Sequence, residues 1–271
     1  MKYQIIALDI DGTLLNMNQE IMPITKQILI DLQKQGVSVV LSSGRDIYSL
    51  EAIGEMIGLS HYPQSGYISL NGLEIYDSQK NLLYQAKKLQ KEDAIVLDHI
   101  AREFHLDMVL FFENQLCILE YGQTHIIDDH FMSRIKEKVA DISKIPDVFF
   151  QNLRKVSFVQ HEAIFQKILP ALHKKMDDSF EISLVEPDWI EMTPKGLNKG
   201  EALKRYAQLK NIFLSQVIAF GNGENDISML EIAGCGVAML NSFDTVKEHA
   251  NDVCGHCEED GIGLYLKEKM F

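Results

Sequence analysis

The feature that most constrains this chain is the contrast between its two ends and its middle. At both ends, short unbroken apolar runs alternate with segments of helical period, the pattern of parallel βαβ units. Segments 3–9 and 37–41 read as strands buried on both faces. Between them Pro23 opens a helix with Ile24, Ile28, Leu29 and Leu32 on one side, and Gly36 closes it. Residues 47–58 read as a helix and 67–70 as a third strand. Near the other end, helices at 199–210, 226–233 and 261–269 alternate with strands at 216–220 and 236–239.

From about residue 82 to residue 187 the pattern changes. Strands become amphipathic and come in pairs, such as 108–112 and 117–121 across Glu113-Asn114, and longer helical stretches at 92–104 and 163–175 separate them. The sequence therefore predicts an α/β core built from residues 1–81 and 188–271, with an α+β module inserted over 82–187. The linkers are predicted at residues 77–81 and around Pro187.

Charge narrows the function. Lys and Arg number 26 against 39 Asp and Glu, a formal net charge of −13, so nothing basic could neutralise a nucleic-acid backbone or an anionic membrane. A small phosphorylated ligand needs only a few well-placed donors. No apolar run reaches the roughly 18 residues that span a bilayer, and the N-terminal apolar stretch is interrupted by Asp9. Four cysteines make no disulfide framework. The expected compartment is a reducing cytoplasm, and the expected state is a monomer or weak homo-oligomer.

The strongest local signal is Asp9-Ile10-Asp11-Gly12-Thr13, directly after the first buried strand. In an open parallel sheet, ligands bind beyond the carboxyl ends of strands, and an extended chain points Asp9 and Asp11 the same way. Two such carboxylates suit a hard divalent cation, or a division of nucleophilic and acid/base work. Gly12 permits a tight turn and close approach of a ligand to the backbone. A calcium loop of the EF-hand kind lacks its further ligands here.

Three other segments end on the same edge of the predicted sheet. Ser42-Ser43-Gly44-Arg45 follows the second strand and precedes a helix, where a hydroxyl and backbone N–H groups suit a phosphate oxygen. Lys199 opens a helix, an unfavourable place for a cation unless an anion compensates. Gly221-Asn222-Gly223-Glu224-Asn225-Asp226 offers oxygen donors after the 216–220 strand, although a plain helix cap accounts for such a loop equally well.

Taken in order, these four segments resemble the haloacid dehalogenase-like superfamily, and within it the Cof-type hydrolases of subfamily IIB. Asn71-Gly72 and Glu259-Asp260-Gly261 fit the same pattern. The resemblance covers almost the whole chain and implies a Rossmann-like three-layer core with a C2-type cap that closes over the site. It implies a Mg²⁺-dependent phosphatase acting on small phosphorylated metabolites through an aspartyl-phosphate. Sugar phosphates come first as substrates, with pyridoxal phosphate or a flavin mononucleotide behind. Asp9 would be the nucleophile and Asp11 the acid and base. Gly12, Ser43, Gly44, Arg45, Lys199 and Asn225 would hold the phosphate, and Asp9, Asp11, Asn222 and Asp226 the metal. One position departs from the family: Asn222 stands where an acidic ligand is usual, so the metal site loses a charge. A smaller departure is Leu240, where a glycine commonly precedes Asn241. A related phosphomutase, and a phosphometabolite sensor without turnover, are the two alternatives.

Other segments are weighed against blander readings. Cys254-Gly-His-Cys257 spells a disulfide-isomerase motif but lies late in an α/β chain beside Glu258, Glu259 and Asp260, whose charge raises a thiol pKa. His125 and Asp128-Asp129-His130 match no common zinc spacing and read as a solvated helix face. Trp189 and Glu191, on the return to the core, are candidate substrate contacts, as is Asn71.

Overall fold

Strand β1 (Ile5–Leu8) is buried along its whole length, and its parity sets out the layers of the core. Ile6 and Leu8 join one apolar cluster while Ile5 and Ala7 join another on the opposite face, as period-two alternation requires. In this computed structural model, which describes residues 2–112, 115–124, 126–127, 135–176 and 179–270, the chain divides into two units. One comprises Met1–Ala86 with Leu197–Phe271, and the other Lys87–Gly196.

In the first unit, β1 is followed by α1 (Pro23–Lys34), β2 (Ser38–Ser42), α2 (Ile47–Glu55), β3 (Gly66–Ser69), β4 (Glu74–Asp77) and β5 (Leu82–Gln85). The second unit carries α3 (Lys91–Phe104), β6 (Asp107–Phe111), β7 (Gln115–Leu119), β8 (Ile135–Lys138), α4 (Asp147–Phe150), β9 (Lys155–Val159), α5 (Glu162–Met176), β10 (Phe180–Glu186) and β11 (Trp189–Pro194). The chain then returns through α6 (Lys199–Leu209), β12 (Val217–Gly221), α7 (Ile227–Ile232), β13 (Cys235–Ala238), α8 (Asp244–Glu248), β14 (Asp252–Val253) and α9 (Gly261–Met270).

The first sheet has the order β14-β13-β12-β1-β2-β3-β4-β5. It is parallel from β14 to β3 and antiparallel from β3 to β5. Leu29, Leu32, Leu50, Ile53, Ile262 and Leu266 from α1, α2 and α9 cover one face. Ala202, Leu203, Tyr206, Met229 and Leu230 from α6 and α7 cover the other. This is the α/β, three-layer, Rossmann-like arrangement expected from the sequence. It places the ends of β12, β1 and β2, the three strands that precede the singled-out loops, side by side at one edge.

The second unit is a six-stranded sheet in the order β10-β11-β9-β6-β7-β8, antiparallel except for the β7–β8 pair. Met108, Leu110, Phe158, Ile190 and Met192 pack on one face with residues of α3 and α5. Val109, Phe111, Val159 and Trp189 form a separate cluster. The divisions fall at Ala86/Lys87 and Gly196/Leu197, later than the predicted 81/82 and 187/188. Pairing is the reason: β5 adds to the edge of the first sheet, while β11 pairs with both β10 and β9 in the second. Among the described residues no helix is long and apolar enough to cross a membrane.

Candidate active site

Asp9 follows β1 on the parity of Ile5 and Ala7, the side covered by α6 and α7, so its carboxylate meets what those helices offer. Lys199, the first residue of α6, is 1% exposed and its Nζ donates to Asp9 Oδ1 and to Asp226 Oδ1, both at 2.6 Å. The cation that the helix start disfavours is thus held by two carboxylates. The cap itself comes from Asn198, whose side chain accepts from Glu201 N at 2.9 Å. Helix α6 can sit this close to α7 because Gly200 has no side chain: a Cβ there would lie 2.3 Å from the carbonyl oxygen of Ser228.

Asp226 is fully buried. Its Oδ2 accepts from the backbone N–H groups of Asn222 and Gly223 at 2.9 and 3.0 Å, so the loop after β12 folds around this carboxylate. With Oδ1 on Lys199 and Oδ2 on two amides, Asp226 anchors the ammonium and shapes the loop. Both of its carboxylate oxygens are thus engaged by donors of the chain itself, at the residue expected to serve the metal directly or through water. Burial and the Asp226 charge push the Asp9 carboxyl up to about 7 despite Lys199. Burial opposes the charged form of Lys199, but Asp226 and Asp9 more than offset it and raise its pKa above the ordinary value.

Beyond Asp9 the chain turns at once: Thr13 N and Leu15 N both donate to Ile10 O, at 3.3 and 2.9 Å. Gly12 makes that turn with φ +72°, and a Cβ there would lie 2.9 Å from Asn222 Nδ2. The chain therefore turns just past Asp9, with Asp9 held by Lys199 and Asp11 held by Arg45. The Asp11 side chain is about half exposed, at 52%. The Arg45 guanidinium grips it, with Nε to Oδ2 at 2.9 Å and Nη2 to Oδ1 at 2.5 Å, while Nη2 also donates to Gln19 Oε1 at 3.0 Å.

Ser43, at the end of β2, is buried, and its Oγ accepts from Arg45 N at 3.2 Å. The following helix start, expected to offer free N–H groups, is partly occupied, since Asp46 Oδ1 accepts from Ser49 N and Ser49 Oγ. Gly44 remains in the bend between them. Asn225 Nδ2 reaches Asn71 Oδ1 at 3.4 Å, so two residues singled out separately in the sequence meet. Asn241 was not assigned a role from sequence. Its Nδ2 donates to Gly12 O at 2.8 Å and its Oδ1 accepts from Cys257 N at 3.2 Å, bracing the Asp-Gly turn. Its position just past a parallel strand was the available signal.

The oxygens suited to a cation can be tested directly. Asp9 Oδ2 is not engaged by Lys199, whose contact is with Oδ1. One terminal atom of the Asn222 carboxamide lies 2.7 Å from Thr13 Oγ1, 2.9 Å from Asp11 O and 3.1 Å from Asp9 Oδ2. Mg–O bonds of about 2.0–2.1 Å in an octahedron put neighbouring ligand oxygens about 2.9 Å apart. The set therefore fits Mg²⁺. It brings a single carboxylate, in keeping with the absence, among the described residues, of any group of three His, Cys, Asp or Glu able to hold a metal.

Other candidates resolve separately. Cys254 is buried with its thiol 3.3 Å from Met239 Sδ, and burial pushes its pKa up to about 12. Cys257 is raised too, by burial and then Glu258; neither is an activated thiol. His125 and Asp128-Asp129-His130 lie outside the described residues. Trp189 and Glu191 are buried strand residues of the second unit. There Glu191 pairs with Lys155, whose ammonium sits 4.5 Å from the centre of the Phe111 ring, itself edge-on to Trp189 at 6.3 Å.

A parallel α/β core that gathers a buried carboxylate, a lysine and an oxygen-rich turn at one sheet edge defines a hydrolase class known from comparison. The model of the haloacid dehalogenase-like hydrolases matches residues 6–266, and the chain belongs to that family. It is 30% identical over 265 residues to the 5-amino-6-(5-phospho-D-ribitylamino)uracil phosphatase YcsE of Bacillus subtilis, covering 97% of this chain and 94% of that one. It is 26% identical over 273 residues to the pyridoxal phosphate phosphatase YbhA of Escherichia coli, covering 98% of each. A haloacid dehalogenase-like hydrolase of Bacteroides thetaiotaomicron has the same fold, with TM-score 0.80, 26% identity, and 99% and 100% of the two chains covered.

Proposed function

We propose that this protein is a Mg²⁺-dependent phosphatase that hydrolyses small phosphorylated metabolites through a phosphorylated Asp9. The observation that carries the reading is the state of Asp9: one carboxylate oxygen is fixed by buried Lys199, and the other belongs to the oxygen set that fits Mg²⁺. The relatives named above support the substrate class, and their printed substrates favour phosphate esters of small heterocyclic metabolites.

Asp9 attacks phosphorus in line with the departing oxygen, and the P–O bond to the leaving group breaks as the Asp9–P bond forms. Asp11, which takes up a proton from solvent once it is free of Arg45, gives that proton to the departing oxygen. Arg45 must first loosen its grip on Asp11, and the arriving phosphate offers the guanidinium an alternative anionic partner. Ser43, Gly44, Asn225 and the backbone at Gly12 receive the phosphoryl oxygens, and Lys199 neutralises charge beside the nucleophile. Asp11, now a carboxylate, takes a proton from water, which attacks phosphorus, frees inorganic phosphate and regenerates Asp9. Asp9, the Asp11 carbonyl and Asn222 would hold Mg²⁺, which would supply Lewis-acid neutralisation of the phosphoryl group. Transfer of this kind depends mainly on positioning and charge cancellation.

The test is inorganic phosphate release from a panel of phosphomonoesters, including heterocyclic and sugar phosphates, with Mg²⁺ titrated and Asp9→Asn beside it. Release that requires Mg²⁺ and vanishes in the variant is expected. A folded protein that binds phosphometabolites without releasing phosphate would overturn the reading.

A further inference from the structure

The Asn222 carboxamide is flanked by oxygens in a way that only one of its two orientations tolerates at a time. One terminal atom lies 2.7 Å from Thr13 Oγ1, 2.9 Å from Asp11 O and 3.1 Å from Asp9 Oδ2. The Asp11 carbonyl and the Asp9 carboxylate are acceptors only. If the amide oxygen occupies this position with no cation present, it faces two further acceptors with nothing between them. If the amide nitrogen occupies it, its two hydrogens can be donated among these three oxygens. A cation reverses the preference, because the oxygen must then face inward and the N–H₂ group outward.

We propose that Asn222 is a two-position gate on the metal site. In the metal-free protein its N–H₂ group points inward and ties Asp9 Oδ2 to the Asp11 carbonyl, standing in for the missing positive charge. On Mg²⁺ binding the carboxamide turns by about 180° and presents its oxygen. The inference rests on the metal reading above and adds a device that an aspartate at this position lacks, since a carboxylate has no donor orientation. The site is kept intact without metal, and apparent affinity falls by the fraction of molecules with the oxygen already inward. Thr13 serves both positions, because its hydroxyl donates to the oxygen or accepts from the nitrogen.

The test is ¹H–¹⁵N spectroscopy of the full chain, with the Asn222 side-chain N–H₂ pair assigned by its loss in Asn222→Asp. Calorimetry with Mg²⁺ alone runs in parallel. Expected for the metal-free protein is an N–H₂ pair that exchanges with solvent at least about tenfold more slowly than exposed asparagines. As calorimetric binding saturates, that pair should shift and lose its protection. Calorimetry should also give Asn222→Asp at least about tenfold higher Mg²⁺ affinity, the gating fraction and the added charge acting together. Mg²⁺ binding that leaves the pair unmoved overturns the gate while the metal reading stands. No Mg²⁺ binding at all overturns both.

Discussion

Lys199→Met replaces the buried ammonium with an apolar chain of similar length and leaves Asp9 and Asp226 facing each other without a cation. Both contacts of 2.6 Å are lost, and the side chains involved are only 1%, 10% and 1% exposed for Lys199, Asp9 and Asp226. Removing one member of such a buried ionic group costs about 3–5 kcal/mol. At about 2–4 °C per kcal/mol for a chain of this size, that is roughly 6–20 °C in melting temperature. The loss should depend on pH in a definite sense. Asp9 is raised to about 7 even with Lys199 present, and without the lysine a proton shared by the two carboxylates becomes more favourable still. A carboxyl whose folded pKa is raised supports the fold below its unfolded value and loses that support as pH climbs through the folded value. The deficit of Lys199→Met is therefore smallest near about pH 5.5 and largest above about pH 8. The assay is thermal melting of both proteins across that range in EDTA, with Lys199→Met/Asp226→Asn recovering part of the loss. A pH-independent deficit of less than about 2 °C would refute the reasoning.

With Asp9 as the proposed nucleophile, reacting as the carboxylate, phosphate release at limiting Mg²⁺ should rise with pH through about 7, and saturating Mg²⁺ should move that limb to lower pH; an immobile limb in the two pH–rate profiles contradicts this. Gly12→Ala, at φ +72° and 2.9 Å from Asn222 Nδ2, should cost about 1–2 kcal/mol by urea denaturation and reduce phosphate release as well. Cys254→Ser/Cys257→Ser should keep phosphate release within about twofold of the parent, and Cys254 in the folded parent should react with a thiol reagent only on unfolding. Asn222→Asp should lower the Mg²⁺ midpoint of activation while raising KM for phosphomonoesters, read from a Mg²⁺-by-substrate rate matrix; an unchanged midpoint contradicts it.

Much of this was legible because the relevant physics is local and repetitive. The strands around the site are short apolar runs after which polar residues change abruptly, so the sheet edge could be drawn from Asp9, Ser43 and Gly221 alone. The position of Lys199 at a helix start was legible as an anomaly, which suggested a bound anion, whereas side-chain carboxylates answer it here. The anions turned out to be Asp9 and Asp226. Contacts set by turns and by pairing across long separations were not legible. The turn after Asp9 depends on hydrogen bonds back to Ile10, and the Arg45 grip joins residues 34 apart in sequence. The late return from the second sheet depends on β11 finding β9 and β10. Alternation in a short apolar segment fits either sheet equally well.

The charge balance of the site connects the family departure at Asn222 with its chemistry. Asp9 and Asp226 share Lys199, so when Asp9 is ionised that trio carries a single net negative charge. Asp11 and Arg45 cancel each other in the resting state. A dianionic phosphate approaching this site meets repulsion, and a divalent cation converts the trio to a single net positive charge. An aspartate at 222 would bind that cation more strongly but leave the loaded site neutral. On the proposed metal reading, Asn222 would exchange metal affinity for attraction to the phosphate. Inside a site of low effective dielectric, one charge a few ångströms away weighs heavily on either equilibrium. That is why the same substitution should tighten the metal and weaken the substrate: a change that moved both in one direction would mean that residue 222 acts through loop geometry instead of charge.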